Sequence, residues 1–276
     1  MIYVPKPKPF FESAESVYTE INYDKRFTYV DDVTRDGEHI HDFYEIYINL
    51  SGDVSFLVED NVYKINSGDI IVSKPNEIHR CIYHSNCMHE HFCIWIRELA
   101  PITDRLKKQF EKNKLLSLPE EDKQKVISAC FSFYKSRSGS GENVFAEIKS
   151  FFEILDVICL DHHDTAEAQS LPSSFSDIVE YISEHYAEPT CTVASLCNIF
   201  FISKSTLCRR FRSYFQTTPS DYIEAKRFAE AKKLLGAGQP VQNACLSSGF
   251  SDCSYFIKCF RKKFGITPYK YQQQIL

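Results

Sequence analysis

Two sets of polar and basic residues near the carboxyl terminus have the types and spacing to do chemistry. Hydroxyl groups near the start of a helix can hydrogen-bond to base edges, and arginine or lysine further along can reach guanine acceptors or phosphate oxygens. The residues are Ser203, Ser205, Cys208, Arg209 and Arg212 in the first set, and Ser251, Cys253, Ser254, Ile257, Lys258 and Arg261 in the second. Such residues suit nucleic-acid recognition, whereas a lone surface arginine is usually only solvated.

The two sets belong to an internal repeat. A shift of 49 residues aligns eight identical residues, with Phe201, Ser205, Phe211, Arg212, Phe215, Thr218, Pro219 and Tyr222 falling on Phe250, Ser254, Phe260, Arg261, Phe264, Thr267, Pro268 and Tyr271. Each copy predicts a short helix, a turn and a longer helix with a buried aromatic stripe. We expect Ser203 to cap the first long helix, Ser251 or Asp252 to cap the second, and Gly265 to end it.

The segment between the copies predicts a connecting helix from Pro219 to Leu235, about 25 Å long at 1.5 Å per residue. A connector of this size could hold two recognition helices about one DNA turn, roughly 34 Å, apart. One molecule could then read two successive major grooves. The helix-turn-helix units are predicted at about 192–215 and 241–264.

These segments resemble a known family. The stretch SGFSDCSYFIKCFRKKFGITPYKY, from Ser248 to Tyr271, resembles the signature of the AraC family of bacterial regulators, and SKSTLCRRFRSYFQTTPSDYIEAKRFAEAKKLL resembles the first unit and connector of that family. The resemblance covers about Phe175 to Tyr271. It implies a seven-helix DNA-binding domain whose major-groove residues correspond to Ser205, Cys208, Arg209, Cys253, Ser254 and Lys258. Gln272 stands where an arginine often follows, which puts a terminal phosphate contact in question.

The charge distribution agrees with a polyanion partner at the carboxyl end only. The net charge of −5 divides into +5 for residues 174–276 and −10 for residues 1–173. A basic end on an acidic body favours DNA at that end. The composition is globular, and eleven cysteines without a C-x-x-C pair favour reduced thiols over disulfides or a zinc module.

The amino-terminal region predicts antiparallel sheet. Short alternating runs, separated by turn residues, cover Tyr44 to Asn49, Val54 to Val58, Val62 to Ile65 and Ile70 to Val72. A closed or sandwiched barrel would remove the exposed edges of such strands.

Within these strands lies the pattern His39-x-His41-x3-Glu45-x6-Gly52, followed by Gly68-Asp69, Pro75 and His79. It resembles the two motifs of the cupin fold, although the second motif is shorter than usual and lacks its glycine. In metal-binding cupins the residues matching His39, His41, Glu45 and His79 would hold one divalent ion.

Three interpretations of these four residues compete: a metalloenzyme site, a metal-dependent sensor, and a metal-free pocket that orients a small effector. Sensor domains of the AraC type resemble cupins and commonly keep remnants of the motif without chemistry. The resemblance therefore favours the metal-free pocket, with no metal, no other cofactor and no catalytic residue. His84, His89 and His91 are expected at surface or hydrogen-bonded positions.

After Pro101 the pattern is helical through Leu160, with an apolar face at Phe145, Ile148, Phe152, Leu155 and Cys159. In AraC-like proteins such helices often form a dimer interface, so we expect a homodimer. The segment rich in small and polar residues before Phe175 is the expected linker.

The fold class expected is therefore α+β with two domains. A cupin-like antiparallel β-barrel with following helices occupies residues 1–165, a linker occupies 166–174, and an all-α tandem helix-turn-helix domain occupies 175–276. No export signal or membrane-spanning run is evident, so a cytoplasmic location and no membrane partner are expected.

We expect a regulator that binds double-stranded DNA and a small-molecule effector, with RNA polymerase as a possible partner, and not an enzyme. The alternatives are a metal-dependent cupin enzyme fused to a DNA-binding tail, and a regulator that needs no effector.

Overall fold

The structure is a computed structural model that describes residues 8–9, 18–30, 41, 43–75, 77–97, 108, 114–138, 144–159, 171 and 173–275. Nine strands come first: β1 (Lys8–Pro9), β2 (Tyr18–Thr28), β3 (Tyr44–Ser51), β4 (Val54–Val58), β5 (Asn61–Ile65), β6 (Ile70–Ser73), β7 (His79–Tyr83), β8 (Cys87–Arg97) and β9 (Leu115–Leu116). Two helices, α1 (Glu120–Ser138) and α2 (Val144–Ile158), complete the amino-terminal part of the described chain.

The strands form two antiparallel sheets that face each other. The first has the order β1-β2-β8-β3-β6-β9, and the second has the order β5-β4-β7. The expected strands from Tyr44 to Val72 are all present, since β3, β4, β5 and β6 match them within two residues. The expected barrel therefore takes the form of two facing sheets with a shared interior.

Residue alternation divides each sheet into an inner and an outer face. On β3, Tyr47 points inward to a core shared with Phe56 of β4. Ile46 and Ile48 point outward, where the first sheet is covered by α1 and α2. On β7, His79, Cys81 and Tyr83 point inward while Arg80 and Ile82 point outward. The fold thus has four layers, with the helical domain described below covering the outer face of the second sheet.

The prediction of continuous helix after Pro101 is wrong at one point. Leu115 and Leu116 form a strand that pairs with Ile71 and Ile70 of β6. Both leucines are buried, and the edge of β6 supplies backbone hydrogen-bonding partners for them that a local sequence pattern does not show. Residues 101–107 and 109–113 lie outside the described residues.

Helix α2 has two apolar faces where the sequence analysis identified one. The face packed against α1 and the first sheet contains Phe151, Ile154 and Ile158. Of the predicted face, Leu155 is buried, but Phe145 and Phe152 are exposed to 83% and 51%. Of the five predicted residues, two are therefore exposed, Leu155 is buried, and Ile148 and Cys159 are half-buried.

Seven helices follow from Ser173 to Ile275, in the number that the resemblance implied. They are α3 (Ser173–His185), α4 (Val193–Ile199), α5 (Lys204–Phe215), α6 (Pro219–Gly236), α7 (Val241–Ser247), α8 (Cys253–Phe264) and α9 (Pro268–Ile275). Because α3 begins at Ser173, the last two residues of the expected linker are helical. Residues 166–170 lie outside the described residues, as does Pro172.

The caps that delimit the two long helices agree largely with the sequence. Ser203 caps α5 by accepting a hydrogen bond from Thr206 N, and Gly265 ends α8 in the left-handed conformation. The N-cap of α8 is Asp252 and not Ser251, because the Asp252 carboxylate accepts from Ser254 N at 2.7 Å and Tyr255 N at 3.1 Å. A carboxylate is a stronger acceptor than a hydroxyl at a helix N-terminus.

The repeat is offset by 48 residues in its short helices and by 49 in its long helices. The backbone N–H of Ile202 donates to Cys197 O, and the N–H of Phe250 donates to Cys245 O, so Ile202 is the counterpart of Phe250. The alignment of Phe201 with Phe250 is therefore wrong. Phe250 is buried at 5% exposure, whereas Phe201 is 98% exposed. The second turn contains one extra residue.

The two domains pack together through the outer face of the second sheet. Leu57, Val62 and Ile82 share a core with residues of α3, α5 and α6, including Phe175 and Phe215. Among the described residues, no helix has both the length and the apolar character needed to cross a bilayer. All eleven cysteines are free thiols.

Candidate functional site

Helix α5 presents the first predicted set of residues to solvent. Leu207, Phe211 and Phe215 are fully buried on one side of the helix. Ser203, Ser205, Arg209 and Arg212 are exposed, and Cys208 is partly exposed between them. The opposite placement of the aromatic and basic residues follows from the helical period. The outward face is available to a large partner.

Helix α8 repeats this arrangement with one difference. Phe256 and Phe260 are buried, while Ser251, Ser254, Lys258 and Arg261 are exposed and Ile257 is 39% exposed. Cys253, however, is only partly exposed and packs against the core of this unit near Cys245. Burial and the neighbouring Cys253 thiol raise the pKa of the Cys245 thiol to about 12. Of the second set, Cys253 therefore reaches the outward face least.

The residue at the expected terminal phosphate contact is turned inward. The side-chain amide of Gln272 donates to Gln239 O at 2.7 Å and to Leu235 O at 3.4 Å. Gln272 is 8% exposed, and it secures the loop between α6 and α7.

A second group of polar residues lies inside the two-sheet domain. Glu45 on β3 and His79 on β7 face each other across the interior, and His41 precedes β3. Their ligand atoms lie within 4.8 Å of one another. The Glu45 Oε2 atom is 3.2 Å from His41 Nε2 and 3.6 Å from His79 Nε2. All three side chains are buried, at 6%, 3% and 0% exposure for His41, Glu45 and His79.

The backbone fixes which nitrogen of each imidazole faces Glu45. His41 Nδ1 donates to Phe43 O and His79 Nδ1 donates to Glu77 O, each at 2.9 Å, because a carbonyl can only accept. Both Nε2 atoms therefore point at the carboxylate and need a proton or a cation between them and Glu45. Burial lowers the pKa of His79, but the charge and hydrogen bonding of Glu45 outweigh this and raise the pKa above its usual value.

The chemistry of the cluster thus permits two states. In the first state, a protonated imidazole forms an ion pair with the Glu45 carboxylate, which also accepts a hydrogen bond from Trp95 Nε1. Alternatively, His41, Glu45 and His79 could hold a divalent ion, since imidazole orientation by a carbonyl is the usual support of a metal-ligating histidine. The fourth predicted member, His39, lies outside the described residues.

Sequence reasoning missed several residues that line the same interior. Trp95 Nε1 donates to Glu45 Oε2 at 2.6 Å, and the Tyr47 hydroxyl lies 2.6 Å from His89 Nε2. The rings of His89 and His91 stack at 4.7 Å. His89 and His91 are buried rather than on the surface, whereas His84 is exposed and bonds to Ser55. The odd-numbered residues from 89 to 95 share one face of β8, and this alternation was a usable signal.

A cleft of about 400 Å³ lies elsewhere, between the two helix-turn-helix units. Its lining includes Thr192, Ser220, Arg227, Asp252 and Tyr255. The Arg227 guanidinium donates to three backbone carbonyls there, so it serves the fold. None of the interior residues named above lines this cleft.

Comparison with known proteins accounts for both parts of the chain. The family model of the AraC-like ligand binding domain matches residues 27–150, and a helix-turn-helix domain model matches residues 196–274. An uncharacterized HTH-type transcriptional regulator, YbfI of Bacillus subtilis, is 26% identical over 222 residues, which cover 79% of this chain and 80% of that protein.

Two other relatives have named roles. The HTH-type transcriptional activator RhaR of Mannheimia succiniciproducens is 25% identical over 248 residues, covering 86% of this chain and 87% of that protein. The arabinose operon regulatory protein of Escherichia coli is 25% identical over 211 residues, covering 74% of this chain and 72% of that protein.

The fold and these matches define a transcription regulator in which a ligand-binding domain of antiparallel sheets is joined to a helical DNA-binding domain. The chain belongs to the AraC family of transcription regulators.

Proposed function

We propose that this regulator reads a bipartite operator with α5 and α8. The observation that carries the proposal is the duplicated unit itself, in which two capped helices of equal length present exposed serine, arginine and lysine residues opposite a buried phenylalanine stripe. Ser205 and Ser254 lie near the helix starts and suit base edges, while Arg209, Lys258 and the arginines one turn later suit guanine or phosphate.

The connecting helix α6 supports a reading of two grooves. Its 18 residues form a continuous helix, begun by Thr218, whose hydroxyl accepts from Asp221 N. At 1.5 Å per residue this helix is about 27 Å long, close to the spacing of successive major grooves. We infer that the two recognition sequences lie about one DNA turn apart.

The effector is proposed to bind in the interior of the sheet domain, near His41, Glu45 and His79. The family matches support a ligand-binding domain here, and the interior offers charged, imidazole and aromatic groups in one enclosed place. In this proposal the three side chains orient the ligand without a resident metal, and the domain performs no catalysis. The relatives are transcription regulators, which favours this over the alternative of a metal-dependent enzyme.

We propose that the contact between the two domains transmits effector binding to the DNA-binding helices. The second sheet supplies both inner residues such as His79 and the outer surface on which α3, α5 and α6 rest. A ligand with different affinities for two arrangements of this sheet would shift the position of the DNA-binding units.

The assembly is proposed to be a homodimer formed through α2, where Phe145 and Phe152 are exposed two turns apart on the same side of the helix. We further propose that the protein acts in the cytoplasm, where the operator is, and that it activates transcription through a contact with RNA polymerase. A clustered apolar surface on a helix is typical of an interaction site.

The experiment that tests the DNA proposal is a selection from random duplexes with the full chain, followed by titration at two salt concentrations. We expect a motif of two blocks about one helical turn apart, bound far more tightly than unrelated DNA. If no sequence is enriched and the binding is wholly dependent on salt, the protein is a nonspecific binder and the proposal is wrong.

A further inference from the structure

An arginine of the ligand-binding domain holds the end of the first recognition helix. Arg80 lies on the outer face of β7 and is 2% exposed. Its Nη1 donates to the backbone oxygens of Phe215 and Gln216, both at 3.2 Å, and its Nη2 donates to Gln216 Oε1 at 3.0 Å. Gln216 returns a bond from Nε2 to Tyr83 O at 3.3 Å. Four hydrogen bonds thus join β7 to the end of α5.

These bonds occur where α5 needs partners. The last carbonyls of a helix receive no hydrogen bond from an N–H group within the helix, and they carry a partial negative charge. A guanidinium supplies both the missing donors and a positive charge. Phe215 ends α5, and Gln216 is its C-cap. Arg80 therefore stabilises the helix terminus and ties it to the sheet in a single contact.

The second unit provides an internal comparison. The C-cap of α8 is Gly265, with φ of 78°, where an added Cβ would meet no atom within 4 Å. The C-cap of α5 is Gln216, which adopts a left-handed φ of 49° although glycine would do so with less strain. A side chain at this strained position is useful because it bonds to Arg80 and to Tyr83 O. Among the described residues, this hydrogen-bonded link occurs at the first unit, whereas Phe264 at the end of α8 packs near Ile78 through apolar contact.

We propose that Arg80, acting with Gln216, is the positioning residue through which the ligand-binding domain sets the orientation of the first recognition helix on DNA. This inference rests on the proposed function of α5. Arg80 does not contact the operator, but it decides how accurately the face with Ser205 and Arg209 meets the base edges. It directly follows His79, whose side chain belongs to the interior cluster, so a movement of β7 at that cluster reaches α5 without an intermediate element.

The test compares the two operator blocks with the full-length protein. The ratio of Kd for a duplex with one block scrambled to Kd for the intact duplex is measured for each block. Arg209→Ala and Lys258→Ala assign the blocks to α5 and α8. In Arg80→Met we expect the ratio for the α5 block to fall about tenfold, the value of one good base contact, while the ratio for the α8 block changes by less than about twofold.

Gln216→Gly separates positioning from capping. Glycine relieves the left-handed backbone but removes both side-chain bonds, so a purely structural cap predicts unchanged discrimination and an equal or higher Tm. We expect instead a loss at the α5 block similar to that of Arg80→Met. Arg80→Lys, which keeps the charge but not the forked geometry, should restore part of the ratio. This set also keeps the test valid if Arg80→Met folds poorly.

Ser183→Ala is the matched control, because Ser183 on α3 bonds to Asp60 at the same domain contact, at 2.6 Å. It should leave both ratios unchanged. The inference is wrong, while the proposed function stands, if Arg80→Met and Gln216→Gly leave the Kd ratios of both blocks unchanged. The same holds if these variants lower the ratios of the α5 block and the α8 block equally. If the wild-type protein discriminates neither block, the proposed function is wrong and this inference with it.

Discussion

Single residues show how the interior cluster balances its charge. One carboxylate, on Glu45, faces two imidazole nitrogens whose opposite nitrogens are committed to backbone carbonyls. Glu45 accepts a hydrogen bond from Trp95 Nε1, but its Oε2 atom also faces the two imidazole Nε2 atoms, and an imidazole lone pair that faces a buried carboxylate is unfavourable. A proton on His79 meets this need and agrees with the raised pKa of that residue.

This arrangement predicts a dependence of stability on pH. Because the pKa of His79 is raised in the folded protein, the stabilisation is complete below the ordinary histidine pKa of about 6.5 and is lost as pH rises through the folded value. We expect Tm to fall as the pH rises above about 6.5. Glu45→Gln should reduce the dependence of Tm on pH, because it removes the main cause of the raised pKa of His79.

His84→Gln provides the control, since His84 is exposed and its ring bonds to Ser55. This variant should keep the dependence of Tm on pH. Thermal unfolding monitored by circular dichroism measures all three proteins, with and without a chelator. A slope that appears only after chelation would contradict the metal-free pocket, since a bound ion would then occupy the place of the proton.

The residues of the recognition helices can be tested one at a time. Arg209→Ala and Lys258→Ala should each weaken binding to the selected duplex by about 1–3 kcal/mol and relax the base preference at one block. Lys233→Ala is the control, because Lys233 is 69% exposed on α6 and pairs with Glu230. Binding titrations should show little change for Lys233→Ala. Equal losses in all three variants would mean that charge alone drives binding.

The elements of the repeat differ more than their sequences suggest. The second turn has one more residue than the first, and the buried Phe250 corresponds to Ile202 and not to the exposed Phe201. Gly249 is essential to this turn. Its φ is 93°, and a Cβ there would lie 2.8 Å from the carbonyl oxygens of Tyr186 and Ala187. The turn of the second unit is therefore pressed against the segment that follows α3.

Gly249→Ala and Gly265→Ala form a matched pair for measuring this contact. Both pay the cost of a left-handed alanine, about 1–2 kcal/mol, but only Gly249→Ala also meets backbone atoms that cannot move aside. We expect Gly249→Ala to lower the free energy of unfolding at least twice as much as Gly265→Ala. Urea denaturation measures both values. Equal losses in the free energy of unfolding would show that the backbone of Tyr186 and Ala187 shifts to accommodate the added Cβ.

At the scale of the whole molecule, the second sheet contacts the DNA-binding domain and α2 does not share that contact surface. The second sheet packs on the DNA-binding domain through Leu57, Val62 and Ile82 and through ion pairs of Lys226 with Glu59 and Asp60. Helix α2 lies on the other side of the sheets and exposes two phenylalanines. A dimer through α2 would thus leave the domain contact free to respond to a ligand.

Light scattering tests the dimer. The wild-type protein should have the mass of two chains at micromolar concentration, and the double variant Phe145→Ser with Phe152→Ser should have the mass of one, because it removes the apolar surface. Phe201→Ser is the control, since Phe201 is 98% exposed but lies in the DNA-binding domain. It should remain dimeric. A wild-type protein that stays monomeric at high micromolar concentration contradicts the proposal.

The sequence by itself determined the elements whose signals are local. Helix caps, hydrophobic periods and the duplicated phenylalanine stripe predicted α4 to α8 and the strands from β3 to β6, and the motif spacing brought His41, Glu45 and His79 together as candidates. These signals lie within a few residues of the structure they specify, so they can be read without the fold.

Only the tertiary structure decided the pairing of Leu115 and Leu116 with β6, the burial of His89 and His91, and the link from Arg80 to Gln216. Arg80 and Gln216 are 136 residues apart. Which residues satisfy a buried carbonyl or a helix end depends on what folding places beside them, and that information is distributed over the whole chain.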